Sequence, residues 1–161
     1  MVYHLSTEVL LNTLHAMAAL QAMACEPDGR TVLAPVLCRE RTALLAEMIK
    51  NAFVEVVLKL GPLVTDMELD GDATDAEDCR LSVELVTPSS FSTARHTVVR
   101  RAMEQTVAFT ALYMWCRASV TDGAAGKAAA SLADSFAAVA ADWNNTLLKS
   151  LASETYPTIR E

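Results

Sequence analysis

Residues 60–88 read LGPLVTDMELDGDATDAEDCRLSVELVTP, and this stretch decides how the chain divides. Gly61-Pro62 stops any helix that precedes it. Glycine suits the position just past the last helical turn, and proline cannot supply the next backbone N–H. Thr65, Met67 and Leu69 then alternate with Asp66, Glu68 and Asp70, and further on Leu81, Val83 and Leu85 alternate with Ser82, Glu84 and Val86. Alternation with period two puts the apolar side chains on one face of a strand. The stretch predicts an antiparallel hairpin over about 64–87, with an acidic tip and a helix layer covering its apolar face.

Residues 66–78 hold seven acids and no Lys or Arg: Asp66, Glu68, Asp70, Asp72, Asp75, Glu77 and Asp78. The formal charge of the whole chain is −7, so its acidity is local to this segment. On paper the segment fits a calcium loop of the EF-hand kind. Asp66, Glu68 and Asp70 take the first, third and fifth positions, Gly71 the sixth, and Glu77 the twelfth, where a bidentate carboxylate is needed. The flanks argue otherwise. The entering helix is cut at Gly61-Pro62, the exit reads as a strand, and Ala73 stands where a large apolar residue normally pairs two such loops. Weak binding of a divalent ion such as calcium by Asp66, Glu68, Asp70, Asp72 and Glu77 is the metal chemistry the sequence offers, and no other cofactor is implied.

On either side of the hairpin the period changes to that of helices. A first helix is expected over 7–25, with Ser6 as N-cap, Leu5 and Leu10 as a hydrophobic staple, and Leu10, Leu14, Met17 and Ala24 on one face. Pro27-Asp28-Gly29 reads as its stop. A second is expected over 37–60, burying Leu44, Leu45, Met48, Ala52, Val56 and Leu60. A third, over 90–119, is apolar nearly all round from 107 to 116, so it is the candidate central helix. A fourth, over 124–152, buries Leu132, Phe136, Val139, Trp143, Leu147 and Leu151. It is rich in alanine, and small residues let helix axes approach closely. Both Trp115 and Trp143 are expected as core anchors. The tail 153–161 is expected to fray.

Apolar residues make up 52% of the 161 residues, and mean hydropathy is +0.25. One domain of this length buries roughly 70% of its unfolded surface without staples, and the apolar excess fits further burial in an oligomer. The apolar run near the start is not preceded by Lys or Arg and is broken by Asn12, Thr13, His15 and Gln21, so it reads as an amphipathic helix rather than a signal peptide. No run reaches the length of a membrane span. Cys25, Cys38, Cys79 and Cys116 show neither a C-x-x-C pair nor zinc spacing, which fits reduced thiols in a cytoplasmic protein.

Arg95, His96, Arg100 and Arg101 form the only basic cluster. A nucleic-acid binder wants a basic stripe on a positive domain, whereas this chain has a pI near 4.9. The cluster fits a solvated face, or a contact in which Arg95, Arg100 and Arg101 meet Asp75 and Asp78 of a neighbouring subunit. His4, His15 and His96 form no metal-binding pattern. No nucleophile elbow, phosphate loop or dinucleotide fingerprint is present, so nothing points to an enzyme.

The order of elements resembles a family of uncharacterised, mostly helical proteins from Bacteroides-type bacteria and their prophages. The resemblance runs through Ser6-Thr7-Glu8-Val9, TALLAEMIKNAFVEVVLKLGPLV (42–64), RLSVELVTPSSF (80–91), AFTALYMWC (108–116) and ASLADSFAAVAADWNNTLLKSL (130–151). It covers most of the chain but carries no active-site residues, and the acidic hairpin loop and the alanine-rich last helix depart from it. It implies a virion-assembly role, such as a head–tail connector or tail-completion subunit acting in a ring.

Together these readings predict a mainly α protein, a single domain over 1–161, built as a four-helix bundle-like arrangement with one β-hairpin between the second and third helices. The expected function is that of a non-enzymatic assembly protein acting as a homo-oligomer with other structural proteins, in the cytoplasm or the virion, without nucleic acid or membrane. The alternative is a helical module that binds a small molecule or a divalent metal, using the acidic loop 66–78 or an interhelical pocket.

Overall fold

The computed structural model describes residues 1–70 and 80–152. The described residues are mainly helical, with a small three-stranded sheet. In chain order they form β1 (Val2–Ser6), α1 (Thr7–Ala24), α2 (Pro27–Leu33), α3 (Thr42–Leu60), β2 (Val64–Asp70), β3 (Arg80–Leu85), α4 (Thr93–Ala118) and α5 (Ala124–Leu151). Short 3-10 turns at Arg39–Arg41 and Gly61–Leu63 lead into and out of α3. The expected tip of the hairpin and the tail 153–161 lie outside the described residues.

The hairpin is present, antiparallel, with Met67 opposite Val83 and Leu69 opposite Leu81. It is not alone. The first residues of the chain form a strand that pairs antiparallel with β3, Tyr3 opposite Val83 and Leu5 opposite Leu81, so the sheet order is β1-β3-β2 and β3 is central. Five residues alternating Val-Tyr-His-Leu-Ser are too short a run to declare a strand by period alone. The partner β3, with its row of bonding groups open, decides it.

Side chains opposite one another in the ladder share a face. One face therefore carries Tyr3, Leu5, Leu81, Val83, Leu85, Met67 and Leu69. The first five are buried under helices. Met67 and Leu69 are 37% and 45% exposed, because the helix layer ends over β2.

Two further differences concern the first half of the chain. Pro27-Asp28-Gly29 was expected to end a helix, yet Pro27 opens α2. Proline lacks only an N–H that the first helical turn leaves unpaired anyway, so it starts helices as readily as it follows them. The chain then reaches α3 only at Thr42 rather than at 37. The buried face of α3 is also turned toward Ile49 and Phe53. Both are fully buried, while Leu44 is half exposed.

The centre is as the apolar run predicts. From Gln105 to Leu112 every residue of α4 is buried, as a helix packed on all sides requires. Helix α5 lies along it, with Phe109 and Phe136 rings 6.1 Å apart. Trp115 is buried and its indole Nε1 donates to the carbonyl of Val32 at 3.1 Å, tying α4 to α2. Trp143 packs against the same core while remaining partly exposed. Gly126 is where α5 begins to pack: a Cβ there would lie 1.5 Å from the Thr121 carbonyl oxygen. Among the described residues no helix is long and apolar enough to cross a membrane.

Candidate functional site

The acidic candidates separate into two groups. Asp66 and Glu68 project from the polar face of β2, beside Glu84 and Ser82 of β3. Alternate residues of an extended strand stand about 7 Å apart, whereas calcium ligands converge to roughly 2.5 Å by looping around the ion. Asp66 instead accepts a hydrogen bond at Oδ1 from the backbone N–H of Met67, at 2.8 Å. Asp70 ends β2, opposite Arg80 in the ladder. Asp72, Asp75, Glu77 and Asp78 lie outside the described residues. Among the described residues no group of three or more His, Cys, Asp or Glu side chains is gathered for a metal ion.

The basic candidates also part company. Ser92 caps α4 by accepting from the backbone N–H of Arg95 at 3.2 Å. The Arg95 guanidinium turns back to the end of α5. Its Nε donates to the carbonyl of Ser150 at 2.9 Å and its Nη2 to that of Ala152 at 2.6 Å, while the group lies 4.7 Å over the Phe91 ring. A cation on the unpaired carbonyls of a helix C-terminus is favoured by the helix dipole. Arg95 therefore serves the fold, joining the start of α4 to the end of α5. Arg100 and Arg101 remain on the surface, Arg100 with its Nε 3.8 Å from Glu104 Oε1. Burial raises the Glu104 carboxyl above its ordinary range, although Arg100 and Arg101 oppose the shift.

A second arrangement was not foreseen, because it depends on β1. The Tyr3 hydroxyl lies 2.7 Å from His96 Nδ1, and the Phe91 ring meets His96 edge-on at 5.0 Å. Burial raises the Tyr3 hydroxyl above its ordinary value. These rings join β1 to the first turns of α4 beside a shallow hollow of about 250 Å³ that Arg100 and Thr97 also line. On the outer face of the sheet His4 Nδ1 meets Ser82 Oγ at 2.8 Å. Among the described residues neither histidine has a carboxylate bonded to its ring.

The larger cavity lies between α3, α4 and α5, with a volume of about 410 Å³. Thr106, Thr110 and Tyr113 of α4 form one wall and Ala137, Ala140 and Ala141 of α5 the other. Glu55 and Lys59 of α3 stand at its mouth, bonded to each other at 2.6 Å.

The thiols are free where they are described. Cys25 and Cys38 are half-buried and Cys116 is buried. Burial, with Cys25 nearby, pushes the Cys116 thiol up to about 12 from an ordinary 9.0. Iodoacetamide at pH 8 is expected to label Cys25 and Cys38 in the folded protein and Cys116 only after unfolding, read by peptide mass spectrometry. The sign for stability follows. The folded state holds the Cys116 proton more tightly, so this contribution is complete below pH 9 and is lost as pH rises toward about 12. Labelling of native Cys116 at the rate of Cys38 would show that α4 opens there.

Comparison with protein-family models, curated proteins and solved structures yields no significant match.

Proposed function

We propose that this protein is a non-enzymatic assembly subunit that associates with copies of itself, and that α1 supplies the apolar centre of the contact. One observation carries this. Helix α1 is apolar on two opposite sides. Leu10, Leu14 and Ala18 face the core, while Val9, Leu20 and Met23 are 48%, 63% and 78% exposed. With Ala16, those three recur at spacings of seven, four and three residues, which draws one stripe down the outer side. Glu8 is the only Asp, Glu, Lys or Arg in the 18 residues of the helix.

A surface helix of a monomer normally turns charge to solvent. A stripe without charge suits a partner with the same chemistry, and a second copy provides it. The magnitudes set the extent. From Val9 to Met23 the stripe is about 21 Å long and roughly 10 Å wide, so it offers on the order of 200 Å². A stable interface takes about 800 Å² from each partner, so flanking polar surface must form the rim.

A ring, the assembly implied by the resemblance to connector and tail-completion proteins, needs a head-to-tail contact between two different surfaces. Met67 and Leu69 on β2 offer the second surface, for α1 of the next subunit. A two-fold dimer would instead pack α1 on α1.

Light scattering after size exclusion decides among these. The wild-type chain is expected at a multiple of 17.4 kDa, three or more for a ring. Leu20→Glu with Met23→Glu is expected to run as a 17.4 kDa monomer with unchanged helicity, since both positions are already exposed. A wild-type monomer at high concentration, or an unchanged mass in the double variant, would remove the proposal.

A further inference from the structure

The cavity between α3, α4 and α5 has an organisation that self-association does not use. Its two long walls differ in kind. Along α4, Thr106, Thr110 and Tyr113 follow one another at helical spacing, a ladder of hydroxyls. Along α5, Ala137, Ala140 and Ala141 present a low apolar surface, with Asn144 one turn further on.

The polar groups are under-used. Thr106 is buried and spends its proton on the carbonyl of Ala102 at 2.7 Å, which leaves its oxygen lone pairs to accept. Thr110 is also buried, yet its hydroxyl has no hydrogen-bond partner among the described residues, and neither has that of Tyr113. Asn144 Oδ1 is shut off from solvent without a partner. Buried polar groups are nearly always paired, and each exception calls for an explanation. Here one such exception, Asn144 Oδ1, lines a cavity of about 410 Å³ together with the unpaired hydroxyls of Thr110 and Tyr113, and that is a size at which small-molecule sites begin.

The geometry points to a binding site for a small, neutral, flat heterocycle of the nucleobase kind, its ring face on the alanines of α5 and its edge groups bonded to Thr110, Tyr113 and Asn144. Flatness follows from the alanine wall, which offers area without depth. An edge that both donates and accepts suits two hydroxyls and an amide, each able to do either. Neutrality follows from the mouth, where Glu55 and Lys59 satisfy each other and leave no net charge to hold an ion. The site lies on faces of α3, α4 and α5, so it stands or falls independently of the α1 contact.

The probe is uracil, titrated to tens of millimolar against the ¹⁵N-labelled full chain, with D-glucose as a hydroxylated control that lacks a flat apolar face. Uracil is expected to cause saturable amide shifts within 105–113 and 137–144, with a millimolar Kd as befits so few atoms. Ala140→Leu fills the cavity and is expected to weaken binding at least tenfold. Thr110→Val is expected to weaken it about fivefold while holding or raising the unfolding midpoint, because the hydroxyl it removes has no partner in the folded chain. No saturable shift with uracil, equal shifts with glucose, or unaltered binding in Ala140→Leu would each overturn the proposal. So would a Thr110→Val variant with a clearly lower midpoint, since its hydroxyl would then be serving the fold.

Discussion

Replacing Gly126 with alanine is expected to lower the thermal unfolding midpoint by roughly 10 °C. The added Cβ would sit 1.5 Å from the Thr121 carbonyl oxygen and 2.4 Å from its carbonyl carbon. Both are backbone atoms, so no rotamer change relieves the overlap. Either the turn after α4 moves or the first turn of α5 unwinds, and both loosen the α4–α5 packing that forms the largest part of the core. Overpacking of this kind costs about 3 kcal/mol, and each kcal/mol moves the midpoint of a chain this size by about 2–4 °C. Alanine is otherwise the better helix former by up to about 1 kcal/mol, so propensity alone predicts the opposite sign. Differential scanning calorimetry of Gly126→Ala therefore separates the two effects. A midpoint at or above that of the wild type would mean that Thr121 does not lie over Gly126.

Phe53→Ala is expected to cost about 4 kcal/mol, read as a fall in the urea midpoint at unchanged slope. Phe53 is fully buried and heads the largest of the enclosed side chains. It sits on α3, which meets α1, α4 and the sheet, so neighbours on several sides would have to move to close the space it leaves. Total stabilities of domains lie at about 5–15 kcal/mol, so the variant would keep little margin. Phe53→Leu retains most of the volume and should lose less than half as much. A cost near 1 kcal/mol for Phe53→Ala would place the side chain at an edge of the core instead.

The legibility of these two positions differs. Phe53 carries a large apolar side chain at helical spacing from other apolar residues, yet the expected face ran through Leu44 and Met48. Periodicity shows that α3 is amphipathic, but it leaves the direction of the buried face open when several consecutive residues are apolar. The sheet and α4 choose it. Gly126 looks like punctuation, the last glycine of a turn. Its use for close backbone approach depends on Thr121, a neighbour only once the chain has folded back.

The same division holds for the candidate sites. The acidic run, the basic cluster and the apolar opening were visible as composition. What each does was not. Arg95 looked like surface charge, and the fold gives it the C-terminal carbonyls of α5. The outward stripe of α1 is present in the sequence, but so is the inward one, and only packing tells which side is left over. The cavity left no sequence signal, since alanines on α5 and threonines on α4 become two walls only when those helices lie side by side.

By itself, then, the sequence determined the periods: long helices on either side of a hairpin, a central helix apolar all round, and a break at Gly61-Pro62. These follow from side-chain spacing and from the backbone limits of glycine and proline, both of which are local. The tertiary structure alone decided that residues 2–6 form a third strand, that Pro27 opens a helix, and which apolar surfaces remain exposed. The third strand and the exposed surfaces depend on partners distant in sequence. The bonding edge of β3, the carbonyl of Thr121 and the end of the helix layer over β2 act only after the chain has brought them into place.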